Sequence, residues 1–499
     1  MKKLLSVLTT VCLLLTMLAF VSLAAPSDYF EAGSGTADDP FVIANEDDFI
    51  NFAESFYDDE TYADAHIRLD ADITTDYEYP IASTGVPFEG IFDGNGKTLT
   101  FTSEYFVGAF DEISGATVKN LTVVGDVSVK DGQHDTIGGI VGTATDNSVI
   151  GNCVFRGSVS NTNSGSNYFA GICAYASDGI TIENCVNYAD INSKGSYTAG
   201  ILGYFTNGTV TVNDCFNYGD ISGNMYIAGI IGNVYEAGAD VNHCVNGGSI
   251  TASLYAGGIM NFYAPNNTLG ANITNCINRG AVTASANNGY SGGIVAFSVS
   301  YAANVKICNC ANYGAVSGNS RKGGVLAYWS GRGRVSFVMQ NCFNGGSVTG
   351  SYNGALIGYY DGNTVDDVSS NYYDSSKCST PFYEKADVNP NAEAITGNDI
   401  ATTAVGKLNA NISSLGKVST WLQWSVGYAD NNGVAHKNSA GGYSAQAAFE
   451  QDLASEGSPN GAASVLSEGS LWIIIAIAVV AIGAVAALVI VRKKKTAAK

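Results

Sequence analysis

Seven positions keep one offset from a recurring glycine: Tyr168, Tyr197, Tyr226, Tyr255, Tyr290, Arg321 and Tyr352. If the chain folds periodically, rings at that spacing form a stripe, and apolar faces with hydroxyl tips suit sugar rings or peptide. The same stripe would also serve a purely structural role, shielding strand edges and strengthening contacts between successive units. Around Arg321 the sequence adds Lys322, Tyr328, Trp329, Arg332 and Arg334, a basic and aromatic cluster on an otherwise acidic chain. An anionic glycan or wall polymer would suit that cluster, although ordinary loop composition accounts for it as well.

Catalysis has weaker candidates. Cleaving a polysaccharide needs two carboxylates facing one groove, or a base beside a cation or metal. The stretch from Gly139 to Gly358 is poor in carboxylates, and Asp190, Asp220 and Asp240 do not pair. Asp361, Asp366 and Asp367 are the best enzymatic candidates, and they also read as a turn. Of the four histidines, His66, His134, His243 and His436, none sits in a nucleophile triad, and His243 stands where most units have Asn. No catalytic, cofactor-binding or metal-ligating set is therefore assigned.

The elements that position the stripe come from a repeat of about thirty residues. Its cysteines are Cys153, Cys185, Cys215, Cys244, Cys276, Cys310 and Cys342, with Leu121 in the same slot upstream. Six residues later the side chain is β-branched each time: Val127, Val159, Ile191, Ile221, Ile250, Val282, Val316 and Val348. A small-Gly pair runs in step, its second member at Gly139, Gly171, Gly200, Gly229, Gly258, Gly293 and Gly324, with Ala355 closing the series. Asn187, Asn217, Asn246, Asn278, Asn312 and Asn344 follow successive cysteines by two residues, which predicts an amide ladder.

A register that keeps small, aliphatic and β-branched positions while the rest drifts selects inward packing. Thr209 to Gly232 holds three β-rich runs punctuated by Gly and Asn, the pattern of one solenoid coil. Helical repeats are excluded by the absent 3.6 period, and propeller blades need longer units. The expected fold is all-β, a right-handed parallel β-helix capped at both ends; about eight coils at about 4.8 Å each make a rod near 40 Å long. The cysteines read as a column of small hydrophobes, mostly reduced, with an oxidised fraction left open by the rung spacing.

Gly139-Ile-Val-Gly142, Gly200-Ile-Leu-Gly203 and Gly229-Ile-Ile-Gly232, with the opening Gly35-Thr-Ala-Asp-Asp-Pro-Phe-Val-Ile43 and Phe88 to Leu99, resemble bacterial surface proteins with GLUG-type repeats. Ala174, Asn261, Ala296 and Ala327 depart from the final glycine. The resemblance covers roughly residues 35 to 430 and implies a β-helix on a bacterial surface without a fixed activity, since such families include adhesin-like proteins and accessory regions of secreted proteases. The zinc-protease pattern His-Glu-x-x-His is absent from this sequence.

The ends of the chain supply context. Residues 1–25 have the layout of a signal peptide, and Leu471 to Val491 is an uncharged apolar run long enough to cross a bilayer. Arg492 and three lysines follow, placing the tail in the cytoplasm and the body outside. The expected divisions are the signal peptide (1–25), an acidic cap with the first strands (26–107), repeats (108–360), a C-terminal cap (361–430), a flexible stalk (431–470), a transmembrane helix (471–491) and a basic tail (492–499). A net charge of -21 argues against nucleic acid as partner. The expectation is a membrane-anchored cell-surface protein, adhesin-like or structural, meeting glycan, wall polymer or host surface. A polysaccharide lyase or hydrolase on the same scaffold is the alternative.

Overall fold

The computed structural model describes residues 30–437, except 31, 59–61, 84, 104–105, 130–134, 265, 332–334, 362–366, 385–391, 398 and 427–433. The segments read as signal peptide, membrane-crossing run and basic tail, and most of the segment read as a stalk, lie outside the described residues. Among the described residues no helix is long and apolar enough to cross a membrane.

The chain winds as a parallel β-solenoid. A representative coil runs through Thr209–Asn213, turns at Asp214, continues through Phe216–Asn217, Ile221–Gly223 and Tyr226–Ala228, and completes the turn with Ile231–Tyr235. The three β-rich runs expected per unit are thus five short strands. Each pairs in parallel with its counterpart one coil on: Val210 with Ala239, Ile221 with Ile250, Tyr226 with Tyr255, Ile231 with Met260. One face is a sheet of twelve parallel strands from Phe41–Ile43 to Asp367–Ser369, and another has ten from Phe110–Ser114 to Phe382–Glu384. A third group joins them, its strands long in the early coils (Val154–Ala170, Asp190–Ala199) and short in the later ones. About eight of these turns carry the cysteine slot.

The corner before each cysteine explains the Asn-Cys signature. Asn120, Asn152, Asn184, Asp214, His243, Asn275, Asn309, Asn341 and Ser370 all adopt left-handed backbone, with φ between 52° and 59°. Among non-glycine residues, Asn, Asp and His tolerate that region best, so the corner selects them. His243 is accordingly a corner residue, its ring bonded to the Asp214 carboxylate of the preceding coil.

Inside, the columns are those the register requires. Leu121 and the seven cysteines are buried in the core, and so is the β-branched column from Val127 to Val348. Each repeat thiol donates weakly to backbone carbonyls, Cys185 to Ile150 O at 3.5 Å and to Glu183 O at 3.3 Å, and all ten described cysteines are free. The amide ladder is continuous from Asn187 to Asn344: each Nδ2 donates to the next Oδ1 at 2.7–2.8 Å and to a carbonyl two residues on at 2.8–2.9 Å. Both amide protons are used in the five linked members, which is what complete burial of an amide demands.

The glycine register follows from the ladder. A Cβ on Gly171 would lie 2.1 Å from Asn187 Oδ1, and one on Gly229 would lie 2.4 Å from Asn246 Cγ. The amide fills the space a methyl would need. Ala355 stands past the coil of the last ladder amide, Asn344, where that exclusion has ended.

Helix α1 (Glu46–Asp58) lies within the segment read as an acidic cap and first strands. Phe49, Phe52, Ala53 and Phe56 recur at helical spacing on one buried face and meet the inward rings of the first coils; Phe52 lies 6.0 Å from Phe88 and 6.2 Å from Phe92.

Helix α2 (Ile400–Ser414) lies within the segment read as the C-terminal cap, and Asp399 caps it by accepting from Thr402 N at 3.1 Å. It does not simply cover the open end. Asn411 Nδ2 donates to Asn341 Oδ1 at 3.1 Å and to the Tyr372 hydroxyl at 2.7 Å, and the following chain runs back along the flank. There Trp424 Nε1 donates to Asn309 Oδ1 at 2.6 Å, and Leu422 N to Asn275 Oδ1 at 3.1 Å. Trp421 and Trp424 pack on an outward apolar column that includes Phe216, Val245, Ile277 and Phe343. The corner asparagines thus hold a longitudinal strap as well as a bend.

Candidate functional site: a two-column aromatic corner

Tyr168, Tyr197, Tyr226, Tyr255 and Tyr290 form the expected row in the third group of strands. Successive ring centroids are 5.3, 5.4, 4.8 and 5.5 Å apart, and Tyr197 and Tyr226 are parallel to within 6°. Each ring sits directly over its partner because the strands pair without slip at these positions.

A second aromatic column, unforeseen from sequence, runs beside the first on the ten-stranded face. Tyr175 and Tyr204 begin it, Tyr235 and Tyr263 continue it, and Phe297, Tyr328 and Tyr359 complete it. The columns interlock: Tyr197 and Tyr204 are 4.7 Å apart, Tyr255 and Phe297 4.5 Å, and Tyr290 and Tyr328 4.9 Å at 2°. The signal was present four residues after the second glycine, where Tyr175, Tyr204, Phe297, Tyr328 and Tyr359 all fall. In the two intervening coils that offset holds Asn233 and Phe262, both buried; Tyr235, which pairs with Thr206, and Tyr263, which pairs with Tyr235 beyond a register shift, take the outward place instead.

Arg321 ends the first row by inserting among rings of the second. Its guanidinium carbon lies 4.1 Å from the Tyr359 centroid and 5.8 Å from those of Tyr290 and Tyr328, and Nη1 donates to the Tyr290 hydroxyl at 3.5 Å. One cation shared by three rings is a favourable, partly desolvated arrangement. Burial, with smaller contributions from neighbouring phenols, pushes Tyr204 and Tyr226 far above the ordinary phenol range, and burial also raises Tyr168, Tyr197, Tyr255 and Tyr328. These phenols are neutral hydroxyls at neutral pH, able to donate and accept.

The remaining residues of the basic and aromatic cluster disperse. Trp329 points inward, fully buried, and stacks on Phe337 at 5.0 Å, because alternation along Leu326–Gly331 sends Tyr328 out and its neighbour in. Lys322 is also buried, its ammonium donating to the Gly318, Ser320 and Ser351 carbonyls. Tyr352 leaves the row: its backbone is left-handed (φ 60°) and its ring meets Tyr383 edge-on at 5.3 Å. Arg332 and Arg334 lie outside the described residues.

The carboxylate candidates do not converge. Asp361 ends a strand of the ten-stranded face, Asp367 begins one on the twelve-stranded face, and Asp366 lies outside the described residues. Asp190 and Asp220 accept from backbone N–H groups of the next coil, Asp220 N at 2.8 Å and Ser249 N at 2.7 Å. Among the described residues no group of three or more His, Cys, Asp or Glu side chains could hold a metal ion.

No family model matches the chain, and no curated protein matches it. A solved structure that does match is a Bacteroides ovatus protein described as a candidate immunoglobulin A1 protease. It shares 15% identity over 82% of this chain and 95% of its own, with a TM-score of 0.30. That likeness is too distant to carry an argument about activity.

Proposed function

We propose that the protein is a membrane-anchored bacterial surface body of the GLUG-repeat kind, a right-handed β-helix that meets an extended polymer along its aromatic corner. The signal-like start, the apolar run with its basic tail and the repeat support display on a cell surface. The paired aromatic columns, closed at one end by Arg321, carry the recognition reading. Because the rings stack on one another, they offer edges and hydroxyls along the axis more than open faces. That favours a hydroxyl-rich chain lying lengthwise, a glycan or wall polymer, with an acidic group near Arg321.

The test is a binding screen of the full-length protein against glycans, wall polymers and host cells. A ligand retained by the parent protein and lost on combined Tyr197→Ala and Tyr204→Ala substitution supports the reading; no retention in any arm counts against adhesion. The same incubations with uronate polymers address the enzymatic alternative. New reducing or unsaturated ends, lost on Asp366→Asn and Asp367→Asn, would replace binding with cleavage.

A further inference from the structure

At the opposite end of the molecule three tyrosines are arranged differently from those of the corner. Tyr57, in the last turn of α1, and Tyr77 and Tyr79, in the segment after Ile73–Thr75, form a cluster built on near-perpendicular contacts. Tyr57 and Tyr79 are 6.1 Å apart at 74°, and Tyr77 and Tyr79 are 5.8 Å apart at 68°. Parallel stacking covers a face of both rings, whereas an edge-on contact covers a face of only one and leaves the other ring's faces open. Tyr57 is 51% exposed and Tyr79 54% exposed, against the half-buried rings of the corner. The Tyr57 hydroxyl is engaged with Ser83 Oγ at 2.8 Å, which fixes that ring.

The surroundings are negative. Glu54 lies one helical turn before Tyr57 on α1 and so shares its side of the helix. Burial, then the charge of Glu54, then the two neighbouring phenols push the Tyr77 hydroxyl up to about 12. Asp76 and Glu78 flank Tyr77 in sequence, and both are exposed. Electron-rich ring faces held at right angles beside a carboxylate attract a cation whose charge is spread over alkyl groups, since such an ion gives up little hydration on leaving water. A small hydrated metal ion would instead require several oxygen ligands.

We propose that Tyr57, Tyr77 and Tyr79, with Glu54, form a binding site for a quaternary ammonium group such as that of choline or a trimethylated lysine. The site is separate from the aromatic corner and does not rest on its function.

The test uses the purified full-length protein, with choline as probe, followed by calorimetry and by saturation transfer to the N-methyl protons. Choline should bind at least about tenfold more tightly than its neutral isostere 3,3-dimethylbutan-1-ol. Tyr79→Ala should weaken choline about fivefold or more, Tyr79→Phe should retain it, and Glu54→Gln should weaken it about threefold. Tyr226→Ala, in the corner, should leave it unchanged. Phosphocholine should bind less well than choline, because its phosphate meets the acidic rim; a trimethyl-lysine peptide should bind and should also be lost on Tyr79→Ala. Equal binding of choline and the isostere, an unaffected Tyr79→Ala protein, tighter binding of phosphocholine, or no saturable binding at about 50 mM choline would each overturn the proposal.

Discussion

The amide ladder takes one side chain from each coil and the aromatic corner takes two, and the two behave as opposites. Inside, Asn187 to Asn344 repeat without substitution, because each amide has fixed partners and a bare glycine facing it. Outside, the two columns admit Tyr, Phe and Arg, and one even steps sideways to Tyr235 and Tyr263, because a half-buried ring needs only a neighbour to lean on. A position with every hydrogen bond and contact specified tolerates no drift; one that is half solvated can change and acquire a role. The interior therefore encodes the solenoid, and the aromatic surfaces are where recognition has room to develop.

Breaking the interior should cost most. Gly229→Ala drives a methyl to within 2.4 Å of Asn246 Cγ and 2.5 Å of the Gly258 carbonyl, so the substitution should destabilise the protein by about 3 kcal/mol or more, read as a lower denaturant midpoint. Asn246→Ala comes next. It strips the acceptor from Asn217 Nδ2 and the donor from Gly248 O and Asn278 Oδ1, and about 2–3 kcal/mol should be lost in the same measurement. The corner should be far more forgiving: Tyr226→Ala removes ring contacts with Tyr197 and Tyr255 and should cost only about 1 kcal/mol.

The smallest effect is in pH dependence. The folded phenols of Tyr204 and Tyr226 lie above the unfolded value of about 10, so the protonated form is favoured by folding. Their contribution is fully present below about pH 10 and is lost as pH rises toward the folded values. Denaturation midpoints should hold up to about pH 9 and fall between about pH 10 and pH 12, and the combined Tyr204→Phe and Tyr226→Phe protein should lose less over that range than its parent. An equal loss would place the alkaline sensitivity elsewhere.

Much of the interior was legible because its columns keep constant offsets: the cysteine slot, the β-branched position six residues on and the asparagine two residues on all face inward as their types suggest. The first tyrosine row was legible for the same reason. What failed was proximity along the chain. Trp329 and Lys322 lie near Arg321 in sequence, but strand alternation and the corner geometry turn both into the body. Tyr352 kept the offset and lost the row because its backbone turns left-handed. The strap at Trp421 and Trp424 could not be read at all, since the corner asparagines that hold it look like ordinary turn residues until distant segments come together. Helix α1 is hard to read although Phe49, Phe52 and Phe56 carry its spacing, because the acidic residues between them fit a solvated irregular segment equally well.

The central claim is that each coil is an interchangeable unit whose register is set by the ladder. Deleting Cys215–His243 joins Asp214 to Cys244, keeps the corner, and lets Asn187 meet Asn246 in place of Asn217. Measured by circular dichroism and denaturant unfolding, this protein should retain its strand signal and unfold cooperatively with a modest loss of stability, whereas deleting Cys215–Ala228, part of a coil, should prevent folding. Failure of the in-register deletion to fold, to the same degree as the out-of-register one, would contradict it.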